Sequence, residues 1–248
     1  MTTLAVRDLA KAYGGVEALR GVSFGVDAGE VVAMIGPNGA GKTTCFDILN
    51  GLLEPDAGAV ELDGRSLLGL APQRIWRLGV GRTFQITASF GSMSVRENVQ
   101  MALLSHHRRL WSFLPLAARQ HGEEADALLE RAGIDALATQ PCAELAYGDL
   151  KRVELAMALA HRPRLLLMDE PTAGMASRER DALMRVASSL AREDGIAVLF
   201  TEHDMDVVFT HAMRVLVLAE GALIATGTPE SVRADARVRA VYLGSDDA

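Results

Sequence analysis

Eight consecutive residues, Gly36-Pro37-Asn38-Gly39-Ala40-Gly41-Lys42-Thr43, carry the most definite chemistry in the chain. They follow the spacing G-x-x-x-x-G-K-[ST], directly after an apolar run and directly before a helical pattern. Glycines let the backbone aim several N–H groups inward, and a helix amino terminus adds positive potential, so the segment through Thr44 suits a polyphosphate. Lys42 is expected to reach the β- and γ-phosphates, and the Thr43 hydroxyl to hold Mg²⁺. A phosphate cradle says nucleotide; hydrolysis needs acids as well. The apolar run Leu165-Leu166-Leu167-Met168 ends in Asp169-Glu170. Asp169 is expected to bind Mg²⁺, and Glu170 to polarise an attacking water. Two solvated acids opening a turn at Pro171 are the alternative, but buried strands seldom end in adjacent acids without a cation to use them.

Elements must bring these segments together, and the pattern supplies them. Short β-branched or alternating runs at 4–9, 22–26 and 31–35, separated by Gly14-Gly15 and Ala28-Gly29, predict strands. A helix is expected over 42–49, ended by Asn50-Gly51. From Ser94 to about Ala132 the pattern turns helical, with Pro115 as its one internal breaker, and a further helix is expected over 149–160. Strands at 165–168, 196–201 and 215–218 then alternate with helices at 178–192 and 204–211. Apolar strands alternating with amphipathic helices imply an α/β fold, a mostly parallel sheet covered on both faces, whose ligands sit at the strands' carboxyl ends. With no repeat and no low-complexity linker, residues 1–248 are expected to form one domain, with a helical insertion over about 94–160.

Composition narrows the partners. The 248 residues are 49% hydrophobic and 23% charged, as in a folded globular chain. A formal net charge of −7 is the wrong sign for gripping a phosphate backbone, so no nucleic acid is expected as partner. Cys45 and Cys142 stand far apart and give neither a disulfide framework nor zinc-site spacing. No apolar stretch approaches the roughly 20 residues that span a bilayer, and the opening Met1-Thr2-Thr3-Leu4-Ala5-Val6-Arg7 lacks a signal-peptide pattern. Any membrane role is therefore expected to run through a partner.

Leu145-Ala146-Tyr147-Gly148-Asp149 precedes a helix about 20 residues before Asp169 and resembles the signature of ATP-binding cassette ATPases, usually L-S-G-G-Q. The L-A-Y-G variant, Arg82-Thr83-Phe84-Gln85, Thr172-Ala173-Gly174-Met175, Thr201-Glu202-His203-Asp204-Met205, Gly227-Thr228-Pro229-Glu230 and the ending Val241-Tyr242-Leu243-Gly244 resemble the branched-chain amino acid importer branch of that family. The resemblance covers essentially the whole chain. It implies a P-loop NTPase fold with an antiparallel β subdomain, and ATP and Mg²⁺ as ligands. It further implies that Tyr13 stacks on adenine, that Gln85 touches Mg²⁺, and that His203 senses the γ-phosphate. Leu145, Ala146, Tyr147 and Gly148 would contact the nucleotide held by a second ATPase subunit, identical or related, in a head-to-tail dimer. Polytopic membrane permease subunits, and indirectly an extracytoplasmic substrate-binding protein, are the implied partners. The implied location is cytoplasmic, peripheral on the inner face of the cell membrane.

Two positions depart from the family pattern: Asp149 replaces the usual Gln, and Ala176 stands where Asp is frequent. Leu103 to Ala118, with His106-His107-Arg108-Arg109, Leu110, Trp111, Phe113 and Leu114, fits either a permease-facing surface or ordinary core of the insertion. His106-His107 by itself suggests a solvated turn. Two other functions stay open: an ATPase of lipid or lipopolysaccharide export, and a non-transport cassette ATPase such as one in iron-sulfur cluster assembly.

Overall fold

A computed structural model describes residues 2–83, 89–106 and 121–243. Strand β3 (Val31–Ile35) shows how the molecule is layered. All five residues are buried; Val31, Ala33 and Ile35 face one apolar core, while Val32 and Met34 face another. That division is the two-residue period of a strand inside a sheet covered on both sides.

The central sheet has the order β10-β9-β3-β8-β7-β6. Its parallel members are β9 (Arg214–Ala219), β3, β8 (Ala197–Thr201), β7 (Leu165–Asp169) and β6 (Val80–Thr83), with β10 (Ala222–Gly227) antiparallel at one edge. One core packs under α6 (Ser177–Asp194) and α7 (Met205–His211), whose buried residues include Leu183, Met184, Val207 and Val208. The other holds α1 (Lys42–Leu49) between the central sheet and a second, antiparallel sheet. That sheet pairs β1 (Thr2–Tyr13) with β2 (Val16–Asp27) and with β4 (Ala57–Leu62), which carries β5 (Arg65–Ser66). Arg214 joins the two layers, donating from Nε to Glu30 Oε1 at 2.6 Å and from Nη2 to the Gly25 carbonyl at 2.6 Å.

The hairpin strands run longer than the 4–9 and 22–26 expected. Gly14 and Gly15 both have positive φ and close a two-residue turn that lets pairing continue to Tyr13↔Val16. Register shifts near Asp8, at φ 47, break the apolar alternation that sequence pattern relies on. The stretch from 51 to 93, on which the pattern is silent, adds β4, β5, β6 and α2 (Pro72–Leu78). Pro72 at the first position and Gly79 at φ 108 bound α2. The chain ends with α8 (Pro229–Ala234) and α9 (Ala236–Leu243).

Between Ser94 and Ala160 lie α3 (Val95–His106), α4 (Gly122–Arg131) and α5 (Tyr147–Leu159), with two 3₁₀ turns at Asp135–Leu137 and Cys142–Glu144. These helices share their own apolar core of Val95, Val99, Leu103, Leu129, Val153 and Ala156. The fold is thus α/β with a mostly parallel core sheet, an antiparallel β layer and a helical insertion, as the sequence implied. His106 differs from expectation. It ends α3 with its ring edge-on to Trp76 at 5.7 Å, so an aromatic contact and not a solvated turn holds it. Residues 107–118, including Trp111 and Phe113, lie outside the described residues, as does Gln85.

Candidate functional site

The three strands that carry the expected chemistry are neighbours, and their carboxyl ends lie together. β3 pairs with β8 through Met34↔Thr201, and β8 with β7 through Asp169↔Thr201. The loop after β3, the acids after β7 and the histidine after β8 therefore meet at one edge, where an open α/β sheet takes its ligands.

Loop conformation follows from its glycines. Gly36, Gly39 and Gly41 have φ of 155, 80 and 102, and a Cβ on Gly36 would overlap the Leu218 carbonyl oxygen. A Cβ on Gly41 would meet the Ala18 carbonyl oxygen, so only glycine fits there. Ala18 lies on β2 two residues beyond Val16, the partner of Tyr13, so the turn end of the hairpin is the end near the loop. Tyr13 sits there 49% exposed, its ring 5.8 Å from Lys11 Nζ. Pro37 is half-buried, Asn38 exposed and Ala40 buried.

Lys42 opens α1, is buried, and donates from Nζ to the Gly36 and Pro37 carbonyls at 2.6 and 3.1 Å. Burial holds its ammonium below the ordinary lysine range, while the nearby charges of Glu170 and Asp169 push back upward. The next residue, Thr43, is exposed and Thr44 half-buried. Hydroxyl and carboxylate oxygens such as those of Thr43 and Asp169 are the hard donors that suit Mg²⁺, and the lysine beside two carboxylates is a site built for a bound anion and its counter-cation. The residues present fit the ion.

A side-chain network fixes the acids. The Thr201 hydroxyl donates to Asp169 Oδ1 at 2.7 Å and accepts from the Glu170 N–H at 3.0 Å. Glu170 has φ 46, a left-handed conformation costing about 1 kcal/mol or more for a residue with a side chain, so that hydrogen bond helps hold a strained turn. Glu170 Oε1 lies 2.9 Å from His203 Nε2. Behind them the buried Glu202 accepts from the Thr172 N–H and hydroxyl at 2.9 and 2.6 Å, and from the His203 N–H at 3.2 Å. Thr201 and Glu202 have roles that sequence reasoning missed. Their signal was available as polar residues ending an apolar strand, but their partners lie about 30 positions away.

Leu145 to Gly148 lead into α5: Ala146 is its N-cap, Tyr147 its first residue, and Asp149 falls in the first turn, where an acid suits the helix dipole. Among the described residues no hydrogen bond or ion pair joins this segment to the glycine loop. Gly148 is buried against α6; a Cβ there would come within 2.9 Å of the Glu179 carboxyl carbon. Tyr147 is 42% exposed. An apolar cleft of about 350 Å³ lies between α2, α3 and α5, lined by Leu52, Ile75, Trp76, Val80 and Met157, with Glu154 among its walls.

Arranged in this way the residues can bind a polyphosphate and direct water onto its terminal phosphorus. Comparison with known proteins shows which family the chain resembles. A profile described as ABC transporter matches residues 19–173, and one described as branched-chain amino acid ATP-binding cassette transporter matches residues 222–248. The chain is 39% identical to the high-affinity branched-chain amino acid transport ATP-binding protein BraF of Pseudomonas aeruginosa, over 97% of each. It is 36% identical to the lipopolysaccharide export system ATP-binding protein LptB of Escherichia coli, over 99% of each. A crystallised ATP-binding cassette of an ABC transporter in its ADP conformation superposes with a TM-score of 0.88 at 30% identity, covering 98% of this chain and 99% of that one. Kinship along nearly the whole length, together with a shared fold, places this chain in the ABC transporter family as one of its ATP-binding cassette ATPases.

Proposed function

We propose that the chain is the ATP-hydrolysing subunit of an importer for branched-chain amino acids or related small amino acids and amides. The observation that carries the importer reading is the match of residues 222–248 to the branched-chain profile, because this segment lies beyond the nucleotide-binding residues that cassettes of every kind share. On this reading residues 1–248 act as one cassette domain, with the helices of 94–160 as its insertion.

In the mechanism, Tyr13 stacks on adenine and the amides of residues 36–44 hold the phosphates. Lys42 leaves its two loop carbonyls for the β- and γ-phosphates. The Glu170 carboxylate orients water and takes up its proton as the oxygen attacks the γ-phosphorus and the bond to ADP breaks. His203, within hydrogen-bond reach of Glu170, holds that carboxylate and faces the γ-phosphate. Thr43, Asp169 and Gln85 would hold Mg²⁺, which supplies countercharge to the phosphates. Leu145, Ala146, Tyr147 and Gly148, at the start of α5, contact the nucleotide of a second ATPase subunit. Two subunits thus close head to tail around ATP and part after hydrolysis.

No helix among the described residues is long and apolar enough to cross a membrane. On this reading the cassette works peripherally on the cytoplasmic face of the membrane, held by polytopic permease subunits that take substrate from an extracytoplasmic binding protein. The apolar walls of the 350 Å³ cleft, with Leu52 57% exposed, suit a short helix from a permease. Tagged Glu170→Gln protein, captured with Mg-ATP from gently solubilised native membranes, is expected to bring down two polytopic permeases. The reconstituted wild-type complex should then take up labelled leucine or valine. Recovery of soluble proteins alone, or movement of lipid in place of amino acid, would overturn the importer.

A further inference from the structure

The hairpin end that carries Tyr13 is fixed from outside the hairpin. β1 pairs with β4 as far as Ala10↔Ala57, and its register against β2 shifts on both sides of Lys11. Asp56, the residue before β4, carries the contact on past the end of that ladder. Its N–H donates to the Ala10 carbonyl at 2.9 Å, its Oδ1 accepts from Lys11 Nζ at 2.8 Å, and its Oδ2 accepts from the Ala12 N–H at 2.7 Å. Three consecutive residues are thus held by one, and the next is Tyr13. The Lys11 and Ala12 hydrogen bonds hold the Asp56 carboxyl below the usual carboxylate range, so the anchor is ionised at neutral pH. Lys11 is the better covered of the pair, its side chain 16% exposed against 51% for Asp56. Its ammonium stands 5.8 Å over the Tyr13 ring centre, inside the roughly 6 Å at which a cation and an aromatic face attract.

We propose that Lys11, anchored by Asp56, is a positioning residue for adenine recognition: it occupies one face of Tyr13 and presents the other to the base. The inference rests on Tyr13 being the residue that stacks on adenine. Two effects favour the bound base. A ring already held by its strand and by the ammonium is ordered before the nucleotide arrives, so less freedom is lost on binding. The ammonium also draws π density toward its own face, which lowers the repulsion between the opposite face and the π cloud of a stacked purine. Neither effect touches the γ-phosphate, so affinity changes and the hydrolytic step does not. An ion pair that only tied the hairpin to the turn before β4 would make the same contact with Asp56 without depending on the ring.

The test is a double-mutant cycle on the full chain, with the Kd for Mg-ADP read by displacement of a fluorescent nucleotide and the kcat and KM for ATP from steady-state rates. Tyr13→Ala is expected to weaken ADP binding about tenfold. Lys11→Met, which keeps the length of the side chain and removes its charge, should weaken it about three- to fivefold and raise KM by a similar factor, with kcat within about twofold of wild type. Asp56→Asn carries the same expectation from the other side of the pair. Lys11→Arg, a cation that also lies over aromatic faces, should keep most of the affinity. In the Tyr13→Ala background, Lys11→Met should have no further effect. An equal loss in the two backgrounds overturns the proposal, since the ammonium would then act on the phosphates or on the fold at large. If Tyr13→Ala weakens binding while Lys11→Met and Asp56→Asn bind as the wild type does, the adenine stack stands and only the positioning role falls. If Tyr13→Ala itself binds with wild-type affinity, the stack falls and the proposal with it.

Discussion

Glu170 shows how much of the proposed catalytic centre is held by residues that are assigned no chemistry themselves. Its strained φ of 46 persists because Thr201 accepts its N–H and Glu202 clamps the turn two residues on. Thr201→Val, which keeps shape but removes both hydrogen bonds, is expected to lower kcat by about tenfold or more while leaving ATP affinity within about threefold; calorimetry beside steady-state rates would check this. Glu170→Gln is expected to bind ATP, to lose about 10² to 10⁴ in turnover, and to accumulate as a dimer on size exclusion with ATP. Turnover at the wild-type rate would remove Glu170 from its assigned role. For Lys42→Ala the loss should fall on binding: titration calorimetry is expected to show most nucleotide affinity gone, because the proposed mechanism turns its ammonium to the phosphates. These motif residues were legible in the sequence because each motif is local, eight residues for the loop and two for the acids. Thr201 and Glu202 were not, since only the parallel register of β8 on β7 makes them neighbours of Asp169 and Thr172.

At the level of elements, the long helix α6 and the buried strands β3, β7, β8 and β9 were read, whereas α2, α8, α9 and strands β4, β5, β6 and β10 were not, for a physical reason. α6 declares itself through 18 amphipathic residues stopped by Gly195 at φ 69. β6 offers four residues, Val-Gly-Arg-Thr, and takes its place only because β7 pairs with it. The start of α6 also bears on one of the two departures from the family pattern. Ala176 has the extended N-cap conformation, φ −69 and ψ 152, but its methyl group cannot accept a hydrogen bond; Glu179 reaches back to its N–H at 3.2 Å and completes only half of a capping box. Ala176→Asp should therefore stabilise the protein by about 1 kcal/mol, read as a higher denaturant midpoint at unchanged slope. No gain in midpoint would mean that the first turn of α6 already has its N–H groups satisfied. Asp149, the other departure, falls in the first turn of α5 and adds a helix-dipole benefit there.

For the whole molecule, stability should depend on acidity through His161. It is buried beside Trp76, with ring centres 4.4 Å apart, and burial lowers its pKa to about 4; the neighbouring His106 adds to the shift, while backbone groups at Val80 and Ala158 oppose it. A histidine kept neutral in the fold binds fewer protons than in the unfolded chain. Its contribution is complete above pH 6.5 and is lost as the pH falls toward 4, up to about 3 kcal/mol. Thermal unfolding followed from pH 7 to 4 should show this decline, and His161→Phe, which keeps the ring stack, should flatten it; an equal slope in both proteins would place the loss elsewhere. The same scale gives the meeting of β3, β7 and β8 a meaning apart from catalysis. The proposed nucleotide site exists only while three strands drawn from distant parts of the chain stay in register, so a nucleotide bound there would lock the central sheet against unfolding. At a concentration one hundred times its Kd, ATP would add about 2.7 kcal/mol to the folded state. A cell drained of ATP is thus expected to lose the protein itself to proteolysis along with its activity.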